Sequence, residues 1–189
     1  MPEIEGVVIE MKQNTCCFSG HRPGGLPFGY DEKHTDCILL KMRLLEEMVG
    51  MRGRGVTTFL TGMAQGVDLI AAEIALNLKW ANPDEPVRLV AIIPHEGQAD
   101  RWTVPSRERY FKILSEADEV ITLRKQYTAS CMHERNRYMV DASSFLIAVY
   151  GGAPGGTKYT VDYAVKKGLD VVIIDPVTLK RNHICPAKS

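Results

Sequence analysis

The stretch Leu146-Ile-Ala-Val-Tyr-Gly-Gly-Ala-Pro-Gly-Gly-Thr157 decides the fold of this chain. Its apolar first half is typical of a strand that is buried on both faces. Four glycines and a proline then occur within six residues. Thr157 follows as the predicted N-cap of a helix, with Val161, Ala164 and Val165 at helical spacing behind it. The stretch therefore predicts a strand, a glycine-rich turn and a helix start.

This arrangement predicts a site for an anion. The first N–H groups of a helix lack intrahelical partners, the positive end of the helix dipole lies beside them, and glycine lets a phosphate approach the backbone. We therefore expect Gly155, Gly156 and Thr157 to hold a phosphate through their backbone N–H groups. An ordinary tight turn has the same composition and is the alternative interpretation.

The length and composition of the chain predict one domain with a sizeable core. The chain has 189 residues, of which 45% are hydrophobic. We assign residues 1–13 to an N-terminal extension, residues 14–176 to the domain and residues 177–189 to a C-terminal tail. Lys plus Arg equals Asp plus Glu at 23 each, so no net charge attracts nucleic acid or an anionic membrane.

The N-terminus and the cysteines predict a cytoplasmic protein. The chain begins without the cationic and apolar regions of a signal peptide, and no apolar run approaches the roughly 20 residues that span a bilayer. The five cysteines are odd in number and form no C-x-x-C, so we expect reduced thiols rather than disulfides or a zinc site. Cys16, Cys17 and Cys131 are interpreted as core thiols rather than nucleophiles.

Apolar strands alternate with amphipathic helices along the domain. Strands are predicted at residues 15–20, 57–61, 87–93, 120–123, 146–150 and 170–174, and helices at 31–49, 69–80, 107–117, 132–142 and 158–167. The first helix is expected to bury Ile38, Leu39, Met42, Leu45 and Met48. This alternation predicts an α/β fold: a single Rossmann-like domain with an open, mostly parallel sheet and helices on both faces.

Candidate site residues follow the strands. In open α/β sheets, ligands bind at the carboxyl ends of the strands, near the point where the strand order reverses. Besides the glycine turn, the candidates at such ends, or at the start of the fourth helix, are Gly20, His21, Arg22, Gly62, Gly66, Asp68, Gln98, Trp102, Arg135 and Asn136.

Each of these residue types has a chemical role and a structural alternative. The planar guanidinium of Arg135 suits bidentate recognition of phosphate, or else an ion pair with Glu134 or Glu108. Trp102 is a stacking platform for a base, or else a half-exposed packing residue. The loop glycines let the chain approach a ligand, or else permit tight turns, and Asp68 could equally cap its helix. His21, Arg22 and Gln98 are expected at the base or sugar end of the ligand.

Several familiar motifs are absent from the sequence. Gly156 is followed by Thr157 and then Lys158, the wrong order for a P-loop, and no G-x-G-x-x-G follows a strand. No spacing typical of metal ligands or of a nucleophile elbow occurs. We therefore expect no metal and no prosthetic group, and a bound nucleotide or phosphate instead.

Four motifs together resemble one known family. Residues 17–23 (CFSGHRP), 62–68 (GMAQGVD), 135–141 (RNRYMVD) and 155–157 (GGT) are similar to the YpsA-like branch of the SLOG superfamily. That superfamily also contains the DNA-processing protein DprA and the LOG (Lonely Guy) phosphoribohydrolases. The resemblance covers residues 14–176 and implies a Rossmann-like fold with a site for a nucleotide or a nucleotide-derived ligand.

The LOG enzymes provide an informative comparison. Met132-His-Glu-Arg135 is similar to their Met-x-x-Arg-Lys motif, with Asn136 where they have lysine. Their glutamate, three residues after the threonine of the glycine motif, corresponds to Thr160. Asp162 lies about 200° further around the helix and should point elsewhere. The resemblance therefore includes the glycines and threonine expected to hold a phosphate. The carboxylate that would stabilise an oxocarbenium ion is missing from this sequence.

The first hypothesis is a cytoplasmic protein that binds a nucleotide or nucleotide derivative and acts as a sensor or regulator. Its expected partner is a small nucleotide-like ligand, with no membrane partner. Related folds often form dimers, which favours a homodimer.

Two further hypotheses remain open. One is a hydrolase of an N-glycosidic bond in a nucleotide or an ADP-ribose-like substrate, for which Asp68 or Glu134 would replace the missing glutamate. No catalytic residue is assigned, and enzymatic activity stays undecided. The other is a DprA-like binder of single-stranded DNA. A neutral isoelectric point and the lack of an aromatic and basic stripe in the sequence disfavour nucleic acid as a partner.

Overall fold

In the computed structural model, which describes residues 12–186, one seven-stranded sheet carries helices on both faces. The strands are β1 Thr15–Gly20, β2 Thr58–Thr61, β3 Arg88–Ile93, β4 Glu119–Thr122, β5 Phe145–Val149, β6 Asp170–Ile174 and β7 Arg181–Ile184. The helices are α1 Thr35–Gly53, α2 Val67–Ala81, α3 Val104–Glu116, α4 Cys131–Asp141 and α5 Gly156–Lys166, with a short 3-10 turn at Pro23–Gly25. The predicted α/β fold with an open, mostly parallel sheet is confirmed.

The order of the strands locates the reversal that such folds use for binding. The sheet runs β4-β3-β2-β1-β5-β6-β7, and every neighbouring pair is parallel except β6 and β7. The chain moves outward from β1 to β4 on one side, then returns to β5 beside β1 and moves outward on the other side. The switch point therefore lies between the carboxyl ends of β1 and β5.

Alternate residues of the strands supply two separate cores. Phe18, Phe59 and Leu89 lie in the core under α1, α2 and α3, whereas Leu60 and Val90, one position along their strands, lie in the core under α4 and α5. This period-2 division is what a parallel sheet covered on both faces requires. It explains why the strand sequences are apolar without alternation.

Helix α1 buries a different face from the one we predicted. The residues that pack inward are Cys37, Leu40, Leu44, Met48 and Met51, all at most 3% exposed. Of the predicted apolar side, Met48 alone is buried, whereas Ile38, Leu39, Met42 and Leu45 are 41–54% exposed. The prediction was wrong because α1 carries apolar residues on two faces, and helical periodicity does not tell which face meets the sheet.

All five helix starts differ from prediction, and the caps explain two of these differences. Helix α5 begins at Gly156 with Gly155 as its N-cap, so Thr157 lies inside the first turn and makes no side-chain cap. Glycine at the cap has a φ of 153°, a conformation that other residues avoid. Helix α1 begins at Thr35, four residues after the predicted start, because the ring Nδ1 of His34 accepts a hydrogen bond from the Asp36 amide and caps it there.

The chain ends differ in what the structure describes. Residues 1–11 of the predicted N-terminal extension lie outside the described residues. Residues 181–184, within the stretch assigned to a C-terminal tail, form β7 at the edge of the sheet. The sequence Arg-Asn-His-Ile has no apolar alternation, so the strand carries no local signal. Within residues 12–186, no helix has the length and apolar character needed to cross a membrane.

The cysteines provide a direct test of these burial assignments. All five are free thiols; Cys16, Cys17, Cys37 and Cys131 are buried, and Cys185 is exposed. Burial raises the pKa of Cys17 to about 12, which keeps its thiol protonated and unreactive. We expect Ellman's reagent to modify one thiol rapidly in the folded protein and all five after denaturation.

The matched variant for this prediction is Cys185→Ser. It should abolish the rapid reaction of the folded protein and leave the slow reaction of the remaining thiols unchanged, as measured by absorbance of the released thiolate. A rapid reaction that survives in this variant would contradict the burial of the other four cysteines.

Candidate functional site

A cleft of about 890 Å³ lies at the carboxyl edge of the parallel sheet. Loops after three different strands form its walls. Arg22 follows β1, residues 95–102 follow β3, and residues 125–127 follow β4. Of the residues predicted for the site, this cleft brings together Arg22, Gln98 and Trp102.

The lining of the cleft contains three cations, two carboxylates and two aromatic rings. The cations are those of Arg22, Arg101 and Lys125, and none forms an ion pair with any residue from 12 to 186. Trp102 and Tyr127 contribute aromatic rings to the same cleft; Tyr127 is 66% exposed, whereas Trp102 is half-buried against the core and the ring of Tyr110. Unpaired cations attract anions, and exposed rings offer a face for stacking.

Gln98 is the most constrained polar side chain of the cleft. It is 9% exposed, and its Nε2 donates to the carbonyls of Met63 at 2.7 Å and Gly62 at 3.2 Å. These two carbonyls fix the amide orientation, since only the amide nitrogen can donate to them. Its Oε1 has no partner among the described residues. A buried acceptor without a partner is a point at which a ligand donor would be stabilised.

Beneath the cleft lies a buried ion pair between α2 and α4. The guanidinium Nη1 of Arg135 lies 3.5 Å from Oδ2 of Asp68, and the two side chains are only 6% and 7% exposed. Arg135 also donates to the carbonyl of Gly62, and a Cβ on that glycine would lie 1.8 Å from Nη1. Burial raises the pKa of Asp68 above its usual value, although Arg135 lowers it. Gly62 thus lies against Arg135, so its lack of a side chain makes room for a protein group.

The loop after β1 is held in place by the start of α2. Gly66 has a φ of 94°, and a Cβ on it would lie 2.5 Å from the carbonyl oxygen of His21. The amide of Val67 donates to that same oxygen, and Gly20 packs against the Val67 side chain. Gly20 and Gly66 therefore let β1 and α2 approach closely, which fixes the position of Arg22 at the cleft.

A chain of hydrogen bonds connects the buried ion pair with the glycine turn. The Nε of Arg135 donates to Oδ1 of Asn136 at 2.8 Å, and Nδ2 of Asn136 donates to Oγ1 of Thr160 at 2.8 Å. Thr160 Oγ1 in turn donates to the carbonyl of Gly156 at 2.9 Å. At the position where the resemblance places a LOG glutamate, the structure therefore has a buried hydroxyl that positions the first turn of α5.

The glycine turn itself is open. Residues 151–156 are exposed, and a Cβ built on Gly152, Gly155 or Gly156 meets nothing within 4 Å. The ring of His21 lies 6.2 Å from that of Tyr150, which immediately precedes the turn. The loop after β1 thus reaches both parts of the site, since His21 adjoins the turn and Arg22 lines the cleft. The phosphate role of Gly155, Gly156 and Thr157 stays a prediction.

The carboxylates considered for catalysis are both engaged. Asp68 is held by Arg135 and the Ala64 amide, and Glu134 accepts from Arg124 and Ser130, each at 2.6 Å. The carboxylates that do line the cleft are Glu96 and Asp100, which the sequence did not indicate.

One group of metal-ligand types occurs among residues 12–186, at the β6–β7 edge. Asp170, His183 and Cys185 place their ligand atoms within 4.8 Å of one another. Asp170 Oδ2 already accepts from Arg54 at 2.6 Å and Oδ1 contacts His183, which accounts for the cluster as an ion-pair network. The expectation of no metal stays a prediction.

Sequence reasoning missed eight of the eleven residues that line the cleft. His95, Arg101, Lys125 and Tyr127 were not selected, although each lies in a loop that directly follows β3 or β4. The rule that ligands bind at strand ends would have selected these loops. The rule does not say which of these loops lie next to one another, because the order of the strands in the sheet cannot be read from the sequence.

The fold and the cleft define a Rossmann-like α/β protein with a charged, aromatic cleft at the carboxyl edge of its sheet. The YpsA family model, described as the YspA SLOG family, matches residues 16–178, and this chain belongs to that family. The predicted family is thereby confirmed. The UPF0398 proteins of Bacillus cereus (strain ATCC 14579) and Bacillus thuringiensis (strain Al Hakam) are each 32% identical over 154 residues, covering 79% of this chain and 82% of the relative.

Two solved structures share the fold. DNA processing protein A from Helicobacter pylori, whose structure was described for its single-stranded DNA binding mode, matches with a TM-score of 0.58 and 15% identity over 87% of this chain. DNA processing protein A from Streptococcus pneumoniae matches with a TM-score of 0.55 and 17% identity over 85% of this chain. The match spans 66% and 50% of those two chains, respectively.

Proposed function

We propose that this protein is a cytoplasmic sensor or regulator that binds a nucleotide or a nucleotide derivative. The observation that carries the proposal is the cleft in which Arg22, Arg101 and Lys125 lie beside Trp102 and Tyr127. None of these three cations forms an ion pair with a residue in the part of the chain that the structure describes. A nucleotide combines an anion with a flat, polarisable ring, and this lining offers a partner for each part. Membership of the SLOG family supports the same class of ligand.

Two parts of the site would share the ligand. The base and sugar would occupy the cleft, where the free Oε1 of Gln98 would accept a hydrogen bond from an amino or hydroxyl group. The phosphate would lie on the first turn of α5, whose N–H groups lack intrahelical acceptors. Arg22 adds positive charge to the cleft, and His21 lies beside Tyr150 at the base of the turn.

A thermal-shift screen tests the proposal. We expect one member of a panel of AMP, ADP, ATP, ADP-ribose and NAD to raise the melting temperature of the full chain. A ligand at 100 times its Kd adds about 2.7 kcal/mol, which corresponds to a few degrees for a domain of this size. No shift with any member would contradict the nucleotide proposal.

Substitutions at Gly156 test the phosphate part of the site. The position has open space and an unstrained φ, so both Gly156→Ala and Gly156→Asp should fold. A carboxylate at a helix N-terminus stabilises the free protein by about 0.3–1 kcal/mol, but it repels an anion at the same place. We expect Gly156→Asp to weaken nucleotide binding at least tenfold in calorimetry, and Gly156→Ala to bind like the wild type. Equal affinities of the two variants for the nucleotide would show that its phosphate does not bind at this turn.

The cleft is tested by reversing one of its charges. Lys125→Glu should weaken binding of the same nucleotide several-fold, because it replaces a cation of the lining by an anion. Lys180→Glu is the matched control, since Lys180 is also exposed but does not line the cleft. If both reversals had the same small effect, the ligand would not occupy the cleft.

A second candidate function is binding of single-stranded nucleic acid. The sequence shows no aromatic and basic stripe, but the cleft brings Trp102 and Tyr127 together with three cations from separate loops. Stacking rings beside cations are the usual elements of such sites. For this function, fluorescence anisotropy with a labelled oligonucleotide would show binding that weakens steeply between about 50 and 200 mM salt. Binding insensitive to salt, or absent, would reject it.

A third candidate is cleavage of an N-glycosidic bond. Glu96 and Asp100 place carboxylates in the cleft, although the residue at the LOG glutamate position is the hydrogen-bonded Thr160. Chromatography of the nucleotide after incubation with the protein separates this candidate from a sensor. Release of the free base that disappears in Asp100→Asn would support the hydrolase, and an intact nucleotide would reject it.

A further inference from the structure

The exposed side of α1 carries a continuous apolar stripe. Its members are Ile38, Met42, Leu45 and Val49, which are 48%, 54%, 41% and 49% exposed. Their spacing of four, three and four residues places them within about 60° of one another around the helix. Leu39, 41% exposed, extends the stripe on one side. We call Ile38, Met42, Leu45 and Val49 the α1 stripe.

Such a stripe indicates a partner. Single exposed apolar residues are common on monomers, whereas contiguous apolar patches mark surfaces that other groups cover. The same helix already buries a full apolar face against the sheet, so the α1 stripe is not required for the fold of the chain. The four residues lie outside the lining of the cleft, so the stripe belongs to a separate surface.

We propose that the α1 stripe packs antiparallel against the α1 stripe of a second copy of this chain, across a two-fold axis. The stripe is palindromic about the midpoint between Arg43 and Leu44, because its members lie 1.5 and 5.5 positions on either side. In an antiparallel pair, Met42 faces the partner's Leu45 and Ile38 faces the partner's Val49. A two-fold interface needs this kind of self-complementary surface.

The charges beside the stripe fit the same arrangement. Glu46 lies beside the stripe, and it pairs at 2.6 Å with Arg43 of its own chain, which lies further round the helix. In the antiparallel register the two copies of Glu46 lie about five residues' rise apart, and each keeps its own Arg43 as a counter-charge. On the other side, Lys41 pairs with Glu32 and Arg52 pairs with Glu85 within their own chain. No uncompensated like charges therefore face each other across the axis.

Sedimentation velocity on the full chain tests the proposal. We expect the wild type to sediment as a dimer at micromolar concentration, and Met42→Glu to sediment as a monomer with an unchanged circular dichroism spectrum. Val177→Glu is the matched control, because Val177 is an apolar residue with 74% exposure that lies in the turn after β6. That variant should remain a dimer.

A mixing experiment tests the register. Leu45→Lys should also be a monomer, but an equal mixture of Met42→Glu and Leu45→Lys should form a heterodimer, because the two introduced charges face each other once and apolar residues meet once. A parallel pair or an interface on another surface would not show this rescue.

Three outcomes would overturn the proposal. One is a wild type that stays monomeric at high concentration, since another segment of the chain would then cover the stripe. Another is a Met42→Glu variant that remains dimeric. The third is a failure of the two monomeric variants to associate when mixed. Nucleotide binding is measured separately, so its failure would leave this result unaffected.

Discussion

Replacing Arg135 with methionine is expected to lower the free energy of unfolding by about 3–5 kcal/mol at pH 7. The guanidinium is the only cation within salt-bridge distance of the buried Asp68 carboxylate among residues 12–186, and it also donates to the carbonyl of Gly62. Methionine keeps the approximate length of the side chain but leaves that carboxylate buried with one backbone N–H, that of Ala64. Urea denaturation followed by circular dichroism measures the loss.

The loss should depend on pH in a defined direction. Burial raises the pKa of Asp68 in the folded wild type, and removal of Arg135 takes away the main group that lowers it. The folded variant therefore binds a proton more readily than the unfolded chain does. Its deficit is largest at neutral pH and shrinks as pH falls through the raised pKa, because the neutral carboxyl no longer needs a counter-charge.

Two further variants isolate the ion pair. Asp68→Asn in the Arg135→Met background should recover much of the lost stability, since the buried charge is gone. Arg137→Met is the matched control, because Arg137 is exposed on the same helix, and it should change stability by no more than about 0.5 kcal/mol. A pH-independent deficit, or a deficit no larger than that of the control, would show that the pair contributes nothing.

Replacing Gly20 with alanine is expected to destabilise the fold by about 3 kcal/mol, the upper end of the usual range for overpacking. A Cβ on Gly20 would lie 2.4 Å from Cβ and 2.6 Å from both γ carbons of Val67, which is fully buried. A Cβ cannot move away by rotating a side chain, so the first turn of α2 would have to shift from β1. Asp68 lies in that turn and would lose its position against Arg135. Urea denaturation at pH 7 measures the effect.

Gly24→Ala is the matched control for this prediction. Gly24 lies four residues along the same loop, and a Cβ on it meets nothing within 4 Å, so its substitution should be nearly neutral. In a double-mutant cycle with Val67→Gly, the two losses should be clearly less than additive, because that substitution removes the atoms with which the new Cβ clashes. Equal stability of the Gly20 and Gly24 variants would mean that β1 and α2 do not approach as closely as the structure has them.

The strands and helices were largely predictable because their signals are local. The strands over residues 15–20 and 170–174 were predicted with their observed bounds, and most other boundaries moved by one to three residues. Strand β7 was missed because its four residues gain their strand conformation only by pairing with β6. The N-cap moved from Thr157 to Gly155 because the glycine conformation, rather than the threonine side chain, starts α5.

The candidate cleft was predicted in part. Glycines that end strands are visible in sequence, so Gly20, Gly62 and Gly66 were predicted as positions where the chain approaches a ligand. What approaches them is a protein group in each case: Val67, the guanidinium of Arg135 and the carbonyl of His21. A glycine shows that space is needed, but only the tertiary structure shows which atom fills it.

The sequence by itself determined the fold class, the family and the strand ends at which polar residues gather, because hydrophobic periodicity and glycine spacing are properties of neighbouring residues. Only the tertiary structure decided which face of α1 meets the sheet, and that Asp68 pairs with Arg135. It also brought Arg22, Arg101 and Lys125 into one cleft. These features depend on the strand order β4-β3-β2-β1-β5, which joins loops that are far apart in the chain. Local patterns carry no information about that order.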